Sequence, residues 1–249
     1  MKRQNILITG ASSGLGAGMA REFARKGHTL GLCARRTERL EELKAELVAI
    51  NPDIRVYIRP LDVNDYEQVF ETFRLFRDDM GTLDRVIVNA GIGKGKPLGT
   101  GYFWANRQTA ETNFVAALAQ CEAALEIMRA QHSGHLVTIS SVSAVRGMPK
   151  NLTTYAATKA GLSALTEGIR IDLRGTPLKV TTICPGFIRS EINEKVKNTP
   201  FMVDTETGCR AMVKAIEREG AVAFVPAWPW APLAYLMKRM PLAWVAKMA

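Results

Sequence analysis

Of the five tyrosines, only Tyr155 has a lysine four places on, in the stretch Thr154-Tyr155-Ala156-Ala157-Thr158-Lys159. On a helix, residues i and i+4 share a face, so the phenol and the ammonium can meet. A phenol with a pKa of about 10 is a poor acid or base near neutrality. A cation beside it favours the phenolate, and a tenfold change in that equilibrium needs only about 1.4 kcal/mol. Tyr155 is therefore a candidate general acid/base and Lys159 its tuning partner. The same pattern also fits an ordinary helix with a tyrosine and a lysine on its surface, so the rest of the chain has to decide.

A second stretch suggests where a cofactor would lie. The apolar run Asn5-Ile6-Leu7-Ile8-Thr9 reads as a buried strand, and Gly10-Ala11-Ser12-Ser13-Gly14-Leu15-Gly16 follows it. A helical pattern with Met19, Ala20, Phe23 and Ala24 comes next. In the order strand, glycine loop, helix, the glycines let backbone approach a pyrophosphate and the helix start offers it free N–H groups. The spacing Gly-x-x-x-Gly-x-Gly differs from the more usual Gly-x-Gly-x-x-Gly, and glycines also make plain turns.

The second strand, Thr29 to Ala34, is followed by Arg35-Arg36 in place of the acid that would hold a ribose 2′-hydroxyl. Two guanidiniums there, with Ser12 close by in the loop, suit a 2′-phosphate. They also suit the start of a solvated helix, running from Thr37 to about Ile50.

The elements that must position these groups alternate. Further strands are expected at Arg55–Ile58, Arg85–Val88, His135–Ile139, Val180–Cys184 and Val222–Val225. Between them fall a helix capped by Asn64 and closed by Gly81, and a long alanine-rich helix from about Asn106 to Ala130 carrying Asn113. The Tyr155 helix follows, with Leu162, Leu165, Ile169 and Leu173 as its apolar stripe, and then a helix from about Thr207 to Arg218. Alternating strands and helices predict an α/β fold, a doubly wound parallel sheet with helices on both faces. Ligands of such sheets sit at the carboxyl ends of the strands, where the loops at Gly10, Asn89, Ser141 and Pro185 all fall.

Composition bounds the rest. The chain has 249 residues, suits one domain, and carries 33 basic and 24 acidic residues, a net charge of +9. The basic residues are scattered without interleaved aromatics, which argues against nucleic acid. Cys33, Cys121, Cys184 and Cys209 form no CxxC, and with His28, His132 and His135 they suggest neither a metal site nor a disulfide framework. The start of the chain has no apolar signal region, so the cytoplasm is the default expectation.

Taken together, Thr9 to Gly16, Asp62, Asn89-Ala90-Gly91, Asn113, Ile139-Ser140-Ser141, Tyr155 with Lys159, and Pro185-Gly186 resemble the compact, single-domain branch of the short-chain dehydrogenase/reductase family. The resemblance spans nearly the whole chain in order. It implies a Rossmann-type sheet of about seven strands, a nicotinamide cofactor and interconversion of an alcohol and a carbonyl. Tyr155 would be the proton donor, and Lys159 would bind the nicotinamide ribose and depress the phenol pKa. Ser141 would bond the substrate oxygen, and Asn113 would hold a water in a proton relay. Gly10, Ser12, Ser13, Gly14, Leu15 and Gly16 would carry the phosphates. Asp62 with Val63 would lie by the adenine, and Asn89, Ala90 and Gly91 on the adenosine side. Pro185, Gly186 and Ile188 would line the nicotinamide.

This sequence departs from the family pattern in three places. Ser141 lies fourteen residues before Tyr155, one more than usual, so the loop between them must bulge, and Ser143 or Ser140 becomes a weaker rival for the serine role. Val88 replaces a second asparagine. Ser190 replaces a threonine but keeps a hydroxyl that can bind the carboxamide.

The expected activity is that of an NADP(H)-dependent carbonyl reductase or alcohol dehydrogenase on a small molecule, with an apolar or lipid-like substrate in view. The rival is a dinucleotide-binding sensor or scaffold without turnover. Residues 187–205 are expected to form a substrate lid. Small faces on the helices at Ala116–Ala124 and at Ala157, Ala160 and Ala164 suggest a homodimer or homotetramer, or packing on their own sheet. The tail at 227–249 holds Trp228, Trp230 and Trp244, and no acidic residue occurs after Glu219. Its Leu233, Leu236, Met237, Met240 and Trp244 fall at helical spacing, broken by Pro241. Such a tail can pack over the substrate cleft or rest on an anionic membrane.

Overall fold

The structure is a computed structural model, and it describes residues 3–191 and 199–246. Its centre is a seven-stranded sheet in the order β3-β2-β1-β4-β5-β6-β7, parallel throughout. The strands are β1 (Asn5–Thr9), β2 (Thr29–Ala34), β3 (Val56–Pro60), β4 (Arg85–Val88), β5 (His135–Ile139), β6 (Lys179–Pro185) and β7 (Val222–Val225). The order reverses between β1 and β4, where the crossovers diverge to opposite sides and open a crevice at the strand carboxyl ends.

Alternation along each strand makes two cores. Ile6, Ile8, Leu30, Leu32, Ile87, Val137, Ile139 and Ile183 face α1 (Gly14–Arg25), α2 (Thr37–Ile50) and α7 (Thr205–Glu217). Leu7, Cys33, Val86, Val88, Leu136 and Val180 face α3 (Tyr66–Met80), α5 (Ala116–Gln131) and α6 (Thr153–Asp172). Side chains on successive strand residues point to opposite faces, so a sheet covered on both sides needs apolar residues at nearly every position. The sequence supplies those runs.

Several local expectations shift. Asp65, not Asn64, caps α3: its side chain accepts from Gln68 N at 3.1 Å, because the helix begins at Tyr66. Asn64 instead donates to Asp62 Oδ1 from both its backbone and side-chain nitrogens. The long helix expected from Asn106 to Ala130 starts earlier and is interrupted. It comprises α4 (Phe103–Ala110), a π-helical turn at Glu111–Val115 and α5, the turn closing with Ala116 N–H on Glu111 O. The longer spacing between Ser141 and Tyr155 is taken up by two 3₁₀ turns, Val142–Val145 and Lys150–Leu152.

After β7 the chain forms α8 (Ala227–Arg239) and α9 (Leu242–Val245). Trp230, Ala234, Met237 and Val245 pack inward, whereas Trp228, Tyr235, Leu236, Leu242 and Trp244 are exposed. The stripe expected from spacing is therefore split between the protein and the surface. Of the expected lid, 192–198 lies outside the described residues. Its described flanks pair with each other, through Arg189 N to Val203 O and Val203 N to Phe187 O.

Candidate active site

The glycine loop shapes the cofactor side. Gly10 and Gly14 take φ of +63° and +54°, a region that L side chains rarely adopt, and so turn the chain sharply between β1 and α1. Ser13, at the N-cap of α1, makes no side-chain cap bond to the helix, so the hydroxyl is directed to other partners. Thr9 Oγ1 accepts from Asn89 N at 3.0 Å and Ala90 N at 3.2 Å, and Asn89 Nδ2 donates to Thr9 O at 2.8 Å. These bonds tie the end of β4 to the loop, so Asn89, Ala90 and Gly91 border it.

On its outer side the loop meets basic side chains. Arg36 donates to Ser12 Oγ at 3.2 Å and to Ser13 Oγ at 2.6 Å. Glu191, three residues beyond Ile188, accepts from Arg36 at 3.0 Å, from Arg39 at 3.0 Å and from Ser13 Oγ at 2.9 Å. Its carboxyl is held below the usual range, first by the Arg36 bond. Arg35 turns elsewhere, 4.0 Å from Asp62 Oδ2, near buried Val63. A carboxylate thus stands as an anion on these basic groups, beside a surface cavity of about 310 Å³ lined on the loop side by Ser12, Ser13 and Gly14 and on the helix side by Arg21, Arg39, Glu42 and Glu46. Together with the turn into α1, this donor set fits the phosphates of a dinucleotide.

The chemistry side lies at the carboxyl ends of β5 and β6. Ser141, the first residue after Ser140 at the end of β5, is buried and accepts from Ser143 N at 3.1 Å. The nearby Ser141 hydroxyl favours the Tyr155 phenolate and pulls its pKa down, but burial is the larger influence and raises it overall. That direction is opposite to the depression expected from Lys159. Lys159 is buried, donates from Nζ to Ile139 O at 2.8 Å and lies 5.9 Å from the Tyr155 ring centre. Burial lowers its pKa to about 8.

The serine rivals separate by orientation. Ser140 Oγ donates to Lys159 O at 2.9 Å and pairs with Ser163 Oγ at 2.7 Å, so it fastens β5 to α6. Ser143 offers its backbone N–H to Ser141.

Asn113 is fully buried in the π-helical turn. Its Oδ1 accepts from Ile92 N and its Nδ2 donates to Ile92 O, both at 2.8 Å. The side chain is thereby used to hold the loop after β4. A Cβ on Gly91 would lie 3.2 Å from Asn113 Oδ1 and 3.5 Å from Lys159 Nζ, so the two groups converge on that strand end. π-Helical turns of this kind recur at functional sites because they re-aim a helix face.

Pro185 ends β6, buried Ile188 follows shortly, and Ser190 Cβ is 3.4 Å from where a Cβ on Gly14 would be. Gly186 is required by close approach: a Cβ there would sit 2.0 Å from Trp230 Nε1. Trp230 stacks edge-on against Phe187 and Phe201, so α8 closes the far wall. Arg146, from the 3₁₀ turn after Ser141, donates to the carbonyls of Met237 and Met240 at the end of α8.

Arg39, Glu191, Arg146 and Trp230 are site residues that motif reading did not find. Arg39 follows Arg36 at i+3, one helical turn on, a signal that spacing could have given. The others meet the site only through long-range contacts.

A parallel sheet that reverses order at β1 and β4, with a glycine loop there and a Ser–Tyr–Lys cluster beside it in which Ser141 and Lys159 are buried, defines a dinucleotide-binding oxidoreductase fold. Residues 4–200 match the family model for short chain dehydrogenase, and the chain belongs to that family. It is 56% identical over 239 residues to an uncharacterized oxidoreductase of Mycobacterium tuberculosis, covering 96% of this chain and 94% of that protein. It is 34% identical to a farnesol dehydrogenase of Aedes aegypti, covering 75% and 78%. In fold it matches the NADPH-dependent 3-quinuclidinone reductase of Rhodotorula rubra, with a TM-score of 0.81, 24% identity and 90% of each chain covered. No helix among the described residues is long and apolar enough to cross a membrane.

Proposed function

We propose that the protein is an NADP(H)-dependent oxidoreductase that interconverts a carbonyl and a secondary alcohol, with Tyr155 as general acid/base. The observation that carries this reading is the convergence of Ser141, Tyr155 and buried Lys159 at the carboxyl ends of β5 and β6, with Lys159 Nζ 5.9 Å from the Tyr155 ring centre, in a dinucleotide fold. A bound nicotinamide would supply or accept hydride. The chain's own residues then need only position the substrate oxygen and move one proton.

Ser141 holds the substrate oxygen. Tyr155, a phenol whose pKa is raised by burial, stays protonated at neutral pH and donates to that oxygen during carbonyl reduction. In the reverse direction the phenolate must form first, so alcohol oxidation rises with pH. Lys159 binds the nicotinamide ribose and supplies a positive charge that assists the phenol. Asn113, whose side chain is spent on Ile92, would hold the water of the relay from Lys159 through the π-helical backbone around it. A sensor without turnover has no use for an ammonium buried at a cost beside a phenol.

Arg36 and Ser12, with Arg35 flanking, favour the 2′-phosphate of NADP(H) over the free hydroxyl of NAD(H). Gly10 to Gly16 would hold the phosphates, and Ser190 and Gly186 would face the nicotinamide. Exposed Leu98, Tyr102, Phe103 and Trp104 in the segment after β4 suit an apolar or lipid-like substrate. The Aedes aegypti relative, a farnesol dehydrogenase, supports the same class.

The protein works in the cytoplasm as a homodimer or homotetramer through the exposed small face of α6 at Ala157 and Ala164, the alanines of α5 being largely spent on the sheet. Its tail packs inward through Trp230, Ala234, Met237 and Val245, and the outward aromatics of α8 and α9 offer a surface for peripheral membrane contact.

The test is loss of NADPH absorbance with ketones and 3-oxoacyl thioesters of graded length. Tyr155→Phe should bind cofactor as the parent does and turn over at least about a hundredfold more slowly. Turnover near the parent rate would remove Tyr155 from the role.

A further inference from the structure

The basic groups proposed to take the 2′-phosphate already hold an anion, and it belongs to the chain. Glu191 Oε2 accepts from Arg36 Nη2 at 3.0 Å and from Ser13 Oγ at 2.9 Å. Glu191 Oε1 accepts from Arg39 Nη1 at 3.0 Å and from Arg36 Nη1 at 3.4 Å. Glu191 is remote in sequence from both arginines and from Ser13, and it reaches them from the segment after β6.

We propose that Glu191 is an internal competitor for the cofactor's 2′-phosphate, and that Arg39 is the second cation of that subsite. The proposal rests on the NADP(H) reading above. Without the phosphate, Glu191 gives Arg36 and Arg39 a counter-charge. With it, a dianion displaces a monoanion on the same donors, and Glu191 must swing out. NADH carries a hydroxyl at this position and leaves the clasp undisturbed. Glu191 therefore narrows the preference between the two cofactors without touching the chemistry. NADPH affinity is reduced in proportion to the fraction of molecules with the clasp open: if only about one in ten is open, the loss is about tenfold. Exposed ion pairs are individually weak, but three donors converging on one carboxylate act together.

The experiment measures binding directly, by calorimetry or nucleotide fluorescence, on the full-length parent, Glu191→Gln and Arg39→Gln. The ligands are NADPH, NADH, 2′,5′-ADP and 5′-ADP. Glu191→Gln should tighten NADPH and 2′,5′-ADP by about five- to tenfold and leave NADH and 5′-ADP within about twofold. Arg39→Gln should weaken the two 2′-phosphorylated ligands and spare the others. If the parent prefers NADPH and Glu191→Gln leaves that preference unchanged or lowers it, the competitor role is overturned while the cofactor reading stands. If neither the parent nor Glu191→Gln distinguishes 2′,5′-ADP from 5′-ADP, both fall. A parent with no preference and a Glu191→Gln variant that gains one would establish the clasp as the cause.

Discussion

Lys159 makes the sharpest prediction, because its function and its burial pull in opposite directions. An ammonium side chain only 5% exposed is held with its pKa lowered from 10.5 to about 8 by loss of solvation. At about 1.4 kcal/mol for each tenfold change in ionisation, the charged form costs the native state about 3 kcal/mol. Lys159→Met fills similar space without a charge. It forfeits the bond to Ile139 O, worth about 1 kcal/mol, so the net gain at pH 7 should be about 2 kcal/mol. For a chain of this size that raises Tm by roughly 4–8 °C.

The sign of the pH dependence follows from the depressed pKa. Below about pH 8 both the folded and unfolded forms carry the proton, and the parent bears the full penalty. Between about 8 and 10.5 the unfolded chain binds a proton that the native one does not, so parent stability rises with pH relative to the variant. The gap between the two proteins should therefore close as pH rises through that window. Urea unfolding of both proteins from pH 7 to 10, without nucleotide, reads it. The same variant should lose turnover. A Lys159→Met protein less stable than the parent at pH 7, with a gap indifferent to pH, would refute the view that Lys159 is a stability cost retained for function.

The wall made by α8 depends on Arg146, which bonds the carbonyls of Met237 and Met240. Arg146→Ala should speed amide hydrogen exchange across 227–245 and raise KM for apolar substrates more than it lowers kcat, and unchanged exchange would mean that the tail is held by packing alone. The outward face of the tail combines Trp228, Tyr235, Leu236, Leu242 and Trp244 with Lys238 and Arg239, so the protein should co-sediment with anionic vesicles and release them on Trp228→Ala/Trp244→Ala substitution. Equal recovery of both proteins in the supernatant would limit the tail to its packing role. Light scattering at micromolar concentration gives the assembly state, and a monomer would remove the α6 pairing.

The architecture was legible because its causes are local. The central strands are covered on both faces, so they read as near-continuous apolar runs, and each crossover helix must carry one stripe. The order of Gly10, Asn89, Ser141 and Pro185 after successive strands followed from that alternation. The Tyr155–Lys159 pair was readable from helical spacing. Helix ends were less so: Asn64 and Asp65 are both good caps, and the choice between them depends on where the first turn starts.

What the tertiary structure decided is the set of partners that each group meets. Only the family resemblance ranked Ser141 above Ser140, and the fold supplies the physical reason: Ser140 is engaged by Ser163 and the Lys159 carbonyl, fastening β5 to α6. Sequence could not show the π-helical turn at Asn113, which goes with pairing of that side chain to Ile92 across 21 residues. Nor could it give the direction of the Tyr155 pKa, because desolvation depends on the whole surround and here outweighs the pull of the Ser141 hydroxyl. Arg36 was visible as a cation, but its counter-charge Glu191 lies 155 residues away. Residue type and spacing fix which chemistry is available, whereas burial and long-range contacts, which no local pattern encodes, fix the ionisation and the partner of each group.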